Sequence, residues 1–238
     1  TVTAKGAGTV VYTAEDTDFG TQTTTNSDSI VVDGSQNSGG VTADLDGVTG
    51  SGEPETLSVT GGSGNDTVLI TAGALDDHDT IALGDGDGDT LQTTATYNSS
   101  HASADAFYAA STAATTDDPT ISGVEVARVV LRNEATNDST VDLASADFAS
   151  EITLIGAGTG GLIGDALSTV TVAAGQTVNL GDADSSFNDG TDGIALALAD
   201  VTGTSDSLTV TTNMLNSTAT GTLTTLTAAG FETLNLDL

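Results

Sequence analysis

The chain reads as an all-β protein, an irregular parallel β-helix or β-solenoid with acidic turns, and three observations carry that reading. Short runs in which Thr alternates with Val, Leu or Ile recur along its whole length, the period-2 signature of half-buried strands. Clusters of Gly, Asp and Asn punctuate those runs, and 29 glycines against 2 prolines favour tight turns. The apolar content is aliphatic: 37% of residues are hydrophobic but only 3% aromatic, which suits a thin interior of β-branched and small side chains. Tandem Ig-like β-sandwiches share the same cadence and stand as the alternative, because no strict rung period is present.

The clearest strands fall at 9–12, 29–32, 56–59, 67–70, 80–83, 126–131, 152–155, 168–172, 194–198, 208–210 and 233–236. Two stretches lack alternation. Residues 95–118, with Tyr97, His101, Phe107 and Tyr108, read as a short helix around 103–110 or a surface loop. Residues 142–151 read as a helical turn capped by Asp142 or Ser145. A weak internal repeat pairs 45–50 and 55–60 with 198–203 and 206–211, and Ile121-Ser-Gly-Val-Glu125 with Ala228-Ala-Gly-Phe-Glu232. It divides the chain into a β-domain over 1–135, with an acidic insertion around 61–92, and a related β-domain over 136–238.

Charge sets the strongest limits on function. Thirty-four acidic residues face three basic ones, Lys5, Arg128 and Arg132, for a formal charge of −31. Such a chain repels itself, so compaction calls for outside cations, either divalent ions or high salt. Three cations cannot track a phosphate backbone, which excludes nucleic acid, and an anionic membrane surface is equally unfavourable. No apolar run approaches the roughly 18 residues needed to span a bilayer. Cysteine is absent, so disulfides and thiolate metal sites are excluded. The sequence opens on Thr1-Val2-Thr3 without a secretion signal and reads as a segment of a longer chain.

Candidate ligands gather in the turns. Gly61-Gly-Ser-Gly-Asn-Asp-Thr-Val-Leu69 places Asn65 and Asp66 after a glycine-rich turn and Val68 on the inward side. The Asp-Thr-apolar ending returns at Asp79-Thr-Ile81 and Asp89-Thr-Leu91, with Asp77 beside the former. Gly84-Asp-Gly-Asp-Gly-Asp89 alternates Asp85, Asp87 and Asp89, but Thr90 and Thr96 stand where an EF-hand requires Gly and Glu. A second acidic system holds Asp182, Asp184, Asp189 and Asp192. Carboxylates this close repel unless a cation bridges them, and hard Ca²⁺ prefers six to eight oxygens of the kind such turns present.

Catalytic patterns are weak by comparison. His78 and His101 lack zinc-site spacing, and no Gly-x-Ser-x-Gly elbow precedes a helix. Trp is absent, and Tyr12, Tyr97 and Tyr108 are scattered, so an aromatic-lined glycosidase cleft has no support. The expectation is that this is not an enzyme.

Residues 61–69 match the calcium-binding nonapeptide of RTX proteins, Gly-Gly-x-Gly-x-Asp-x-apolar-x, position for position. The wider Thr/Ala/Gly-rich, acidic, Cys-free pattern, with its Ser-Gly-Val-Glu line before an aliphatic strand, resembles bacterial RTX-type S-layer proteins and related giant secreted surface proteins. That resemblance implies type I secretion, an extracellular cell-surface location and calcium-driven folding. It further implies assembly with copies of the same chain in a lattice or filament. An adhesion module that binds carbohydrate, with cell-surface polysaccharide as partner, is the alternative within the same resemblance. The irregular spacing of Asp79 and Asp89 departs from the family's regular β-roll, and a halophile domain stabilised by general salt is a further option.

Overall fold

The computed structural model describes residues 1–15, 29–47, 56–71, 75, 79–95, 105–106, 119–131, 140–143, 148–156, 168–181, 194–212 and 226–237. In chain order the strands are β1 (Val2–Gly6), β2 (Val10–Glu15), β3 (Ser29–Asn37), β4 (Val41–Gly47), β5 (Thr56–Thr60), β6 (Thr67–Thr71), β7 (Thr80–Ala82), β8 (Thr90–Ala95), β9 (Asp105–Ala106) and β10 (Thr120–Ser122). They continue with β11 (Val126–Leu131), β12 (Thr140–Asp142), β13 (Glu151–Gly156), β14 (Ser168–Val172), β15 (Thr177–Leu180), β16 (Ile194–Leu198), β17 (Ser207–Thr212), β18 (Leu226–Ala229) and β19 (Thr233–Asp237). The protein is all-β. No helix forms among the described residues: Asp105–Ala106 is a strand where a short helix or loop was expected, and Asp142 ends β12, while 144–147 of the expected helical turn lie outside the described residues.

The chain forms two compact units, Thr1–Thr93 with Tyr108–Val126, and Thr94–Phe107 with Ala127–Leu238. In the first unit β1, β3, β5, β7 and β10 lie side by side in one sheet, and β2, β4, β6 and β8 in another. Up to β8 each strand neighbours the next odd or the next even one, β10 then pairs with β7, and the described pairs are parallel. Two strands make one rung. In the second unit β9, β12, β14, β16 and β18 form one sheet, and β13, β15, β17 and β19 follow one another in the other. The described pairs there are parallel too.

This connectivity is consistent with a solenoid and corrects the alternative of tandem Ig-like sandwiches, whose sheets are antiparallel. The reason lies in the strands themselves. A hairpin needs a two- to five-residue link and pairs strands adjacent in the chain antiparallel, whereas here the paired strands are parallel and at least one strand of another sheet lies between them in the chain.

Alternation converts that topology into a core. In β3 the burial pattern places Ile30 and Val32 inward, and the register sets them opposite Leu57 and Val59 of β5. Val59 in turn faces Ile81 of β7. Ala43 and Leu45 of β4 meet Val68 and Ile70 of β6. In the second unit Ile152, Val178 and Val210 stack in one column, Leu154 and Leu180 in another, and Val170 and Leu196 in a third. All of these side chains are buried. Like-on-like aliphatic stacking explains the scarcity of aromatic residues, since a large ring would interrupt a column set by the spacing of adjacent strands, about 4.8 Å. Thr fills the alternate outward positions, where its branched Cβ suits the extended backbone.

Candidate metal centre in the stacked acidic turns

The Asp-Thr-apolar element marks the start of a strand. Asp66 precedes β6 and is buried together with Val68, two residues on. Its Oδ1 accepts a hydrogen bond from the Val41 amide of the preceding rung at 2.5 Å, and its Oδ2 accepts from the Gly62 amide of its own turn at 2.8 Å. Asp89 repeats the arrangement before β8: its Oδ1 accepts from the Asp66 amide at 2.7 Å. Glu125 takes the next step, its Oε2 accepting from the Asp89 amide at 2.9 Å. One carboxylate per rung thus reaches back to the amide of the rung before. The sequence separations are 25, 23 and 36 residues, so the ladder tolerates rungs of unequal length.

The same device recurs elsewhere. In the other sheet of the first unit, Asp79 Oδ1 accepts from the Leu57 amide at 2.8 Å. In the second unit Glu232 Oε2 accepts from the Asp206 amide at 2.8 Å, while the Glu232 and Thr233 amides donate to the Asp206 carbonyl. Glu125 and Val126 donate to the Asp89 carbonyl in the same way. The Gly-Val-Glu and Gly-Phe-Glu copies of the internal repeat therefore perform one task in two places. Before β15 the neutral Gln176 holds the corresponding position, its Oε1 accepting from the Ala173 amide and its Nε2 donating to the Ala149 carbonyl, both at 2.9 Å.

Glycine makes room for the ladder. The turns at 61–66 and 84–89 lie on successive rungs, with the Asp85 amide donating to the Gly62 carbonyl at 3.1 Å and the Ser63 amide donating to the Asn37 carbonyl at 3.1 Å. A Cβ at Gly62 would collide with the Asn37 carbonyl, and one at Gly86 with the Asp89 carboxylate. The alternating Gly-Asp run at 84–89 is thus the neighbouring-rung counterpart of the 61–66 turn.

Electrostatically, Asp89 stands apart. Its side chain is 0% exposed and its Oδ2 has no hydrogen-bond partner. Burial is the main force pushing its carboxyl above the usual range; the Asp66 and Gly86 amides oppose that push, while the Asp66 and Glu125 charges add to it. Half-buried Asp33 and exposed Asp200 shift the other way, because the hydroxyl and amide of Ser35 and of Thr202 respectively donate to them.

Of the sequence-derived ligands, Asp66, Asp79 and Asp89 are buried at strand starts, while Asn65, Asp85 and Asp87 are exposed on the turns. The structure brings Asn65 and Asp66 into contact with the 84–89 turn and leaves Asp79 in the other sheet. Asp77, Asp182, Asp184, Asp189 and Asp192 lie outside the described residues. Among the described residues no three acidic or histidine side chains converge to hold a metal. A cation at this turn would meet one buried carboxylate oxygen, Asp89 Oδ2. That is a donor of the kind a hard ion such as Ca²⁺ takes, and one of the six to eight oxygens it needs. Sequence reasoning missed Glu125, Glu232 and Gln176, although the repeated Gly-apolar-Glu line before a strand was the signal for the first two. Comparison of the chain with protein-family models, with curated proteins and with solved structures returns no match.

Proposed function

We propose that this chain is a calcium-dependent structural component of an extracellular surface layer or matrix, secreted by the type I route and self-assembling through its β-units. It is a scaffold and not an enzyme. The protein is a structural all-β chain of repetitive sheet architecture. The calcium part of the reading is carried by one observation, the buried Asp89 Oδ2 left without a donor inside a stack of acidic turns, a state that Asp206 Oδ2 shares in the second unit. Support comes also from the charge of −31, which the chain's own three cations cannot offset.

Bound calcium supplies positive charge to that oxygen and to the surrounding carbonyls. The protein's own contribution is positional. Asp66 and Glu125 fix the backbone on either side of Asp89, and the glycines let the turns of successive rungs pack closely. Binding to the folded form alone adds stability by mass action, about 2.7 kcal/mol at a hundredfold excess over Kd. Low calcium inside a cell then leaves the chain loosely folded, and millimolar calcium outside completes it.

The test is a calcium titration of chelated protein followed by far-UV circular dichroism and light scattering, with magnesium and sodium chloride in parallel. The expected result is a calcium-specific gain of β signal, with scattering rising over the same range. An equal response to sodium chloride assigns the effect to general screening and removes the specific site.

A further inference from the structure

We propose that the cavity beside Asp206 is a second divalent-cation site, which gives the second unit a calcium response of its own. The inference rests on the calcium reading above and extends it from the first unit to the second. Among the described residues two carboxylate oxygens are buried without a hydrogen-bond partner, Asp89 Oδ2 and Asp206 Oδ2. They occupy the same place in the fold, for Asp89 directly precedes β8 and Asp206 directly precedes β17.

The backbone around the two is held identically. The Asp89 amide donates to Glu125 at 2.9 Å and the Asp206 amide to Glu232 at 2.8 Å. The Asp89 carbonyl accepts the Glu125 and Val126 amides at 3.1 and 3.0 Å, and the Asp206 carbonyl accepts those of Glu232 and Thr233 at 3.0 and 3.1 Å. Three residues earlier stands a glycine, Gly86 or Gly203, where a Cβ would collide with the carboxylate. The two segments share the line Gly-x-x-Asp-(Thr/Ser)-Leu, at 86–91 and 203–208. An orphaned acid oxygen therefore arises twice, in separate units, from one local design.

The surroundings differ in a way that favours an ion at the second place. Asp89 is closed off from solvent, whereas Asp206 is half-buried and lines an open cavity of about 380 Å³. Asp200 and Thr202 stand on the same wall, and Asp200 Oδ1 accepts the Thr202 hydroxyl at 2.6 Å and its amide at 2.9 Å, which fixes that carboxylate in the turn. No basic residue is among the described residues of the wall. An apolar guest would leave the Asp206 oxygen unsatisfied, at the cost of a buried acceptor without a donor. A hard divalent cation satisfies it, takes Asp200 as a second acidic donor and fills its shell with water from the open side. Ca²⁺ suits such an irregular set better than Mg²⁺, which demands near-ideal octahedral geometry.

Equilibrium dialysis of the full chain against calcium, with amide hydrogen exchange on the same samples, tests the site. Asp206→Asn should bind one calcium fewer than the parent and lose the calcium-dependent protection of the Glu232 and Thr233 amides, while the Asp66 and Asp89 amides keep theirs. Asp200→Asn should lower the affinity for that same ion. Asp237→Asn, exposed and away from the cavity wall, removes a charge elsewhere and should bind as many ions as the parent. Unchanged calcium binding in Asp206→Asn, or an equal loss in Asp237→Asn, overturns the proposal. If Asp206→Asn loses its β signal, Asp200→Asn takes its place, and unchanged affinity in that variant overturns the proposal instead. Asp89→Asn keeps the two readings apart, since it should remove a different ion and leave the Glu232 and Thr233 response intact. Loss of an ion in Asp206→Asn but not in Asp89→Asn overturns only the first-unit site; the reverse overturns only this one.

Discussion

Replacing Asp66 by Ala should lower the stability of the first unit by about 1–4 kcal/mol, the cost of leaving one buried and one half-buried backbone donor without acceptors, at about 1–3 kcal/mol for the buried one. The donors are the amides of Val41 and Gly62, at 2.5 and 2.8 Å from the two carboxylate oxygens. Urea denaturation of chelated protein measures the loss, and Asp87→Ala, on an exposed position, should stay within about 0.5 kcal/mol of the parent. In a calcium titration the Asp66→Ala folding midpoint should also move to higher calcium, because the rung that positions Asp89 is loosened. An unchanged midpoint with unchanged stability would remove Asp66 from both roles.

Asp89→Asn should separate the scaffold role of the ladder from its cation role. Asparagine keeps an oxygen for the Asp66 amide but removes the buried negative charge. Without calcium at neutral pH the variant should therefore be more stable than the parent, by about 1–2 kcal/mol. The pH dependence has a definite sign. Asp89 is raised in the folded state, so the fold holds its proton more tightly than the unfolded chain does. Its stabilising contribution is complete below the ordinary Asp value of about 3.9 and is lost as pH rises through the higher folded value. The parent should gain stability on mild acidification from neutrality, and Asp89→Asn should gain less. With calcium the order reverses, since the parent gains an ion and the variant does not. Thermal melts at several pH values, with and without calcium, show whether the curves cross.

The legible part of the fold was its local pattern. Strands at 56–59 and 168–172 were readable because Thr or Ser alternates with aliphatic residues there, and those at 29–32 and 194–198 because they are short β-branched or alternating aliphatic runs; each is a strand in the structure. β15 was harder to see, since Asn179 breaks the expected Thr alternation, and β10 and β12 are only three residues long. Parallel pairing was not deducible from any single strand, because alternation is the same in a sandwich. What distinguishes the two is the long return between partners, visible only once Val41 is known to face Asp66 and Leu57 to face Asp79.

The acidic turns show the same division. Composition announced that carboxylates matter, and the nonapeptide-like run located Asp66. Their first task, however, is to accept backbone amides across rungs, and spacing alone could not reveal it because the rung lengths vary. Asp79 was grouped with Asp66 on its Asp-Thr-apolar ending; it performs the same capping in the other sheet, away from the turn stack.

Amide hydrogen exchange along the ladder is the most direct probe of whether a cation completes it. With calcium, the Val41, Asp66 and Asp89 amides should be strongly protected; chelation in dilute buffer should strip that protection, and calcium but not sodium chloride should restore it. Protection that persists unchanged after exhaustive chelation would contradict the account, leaving a carboxylate ladder that stands without any ion.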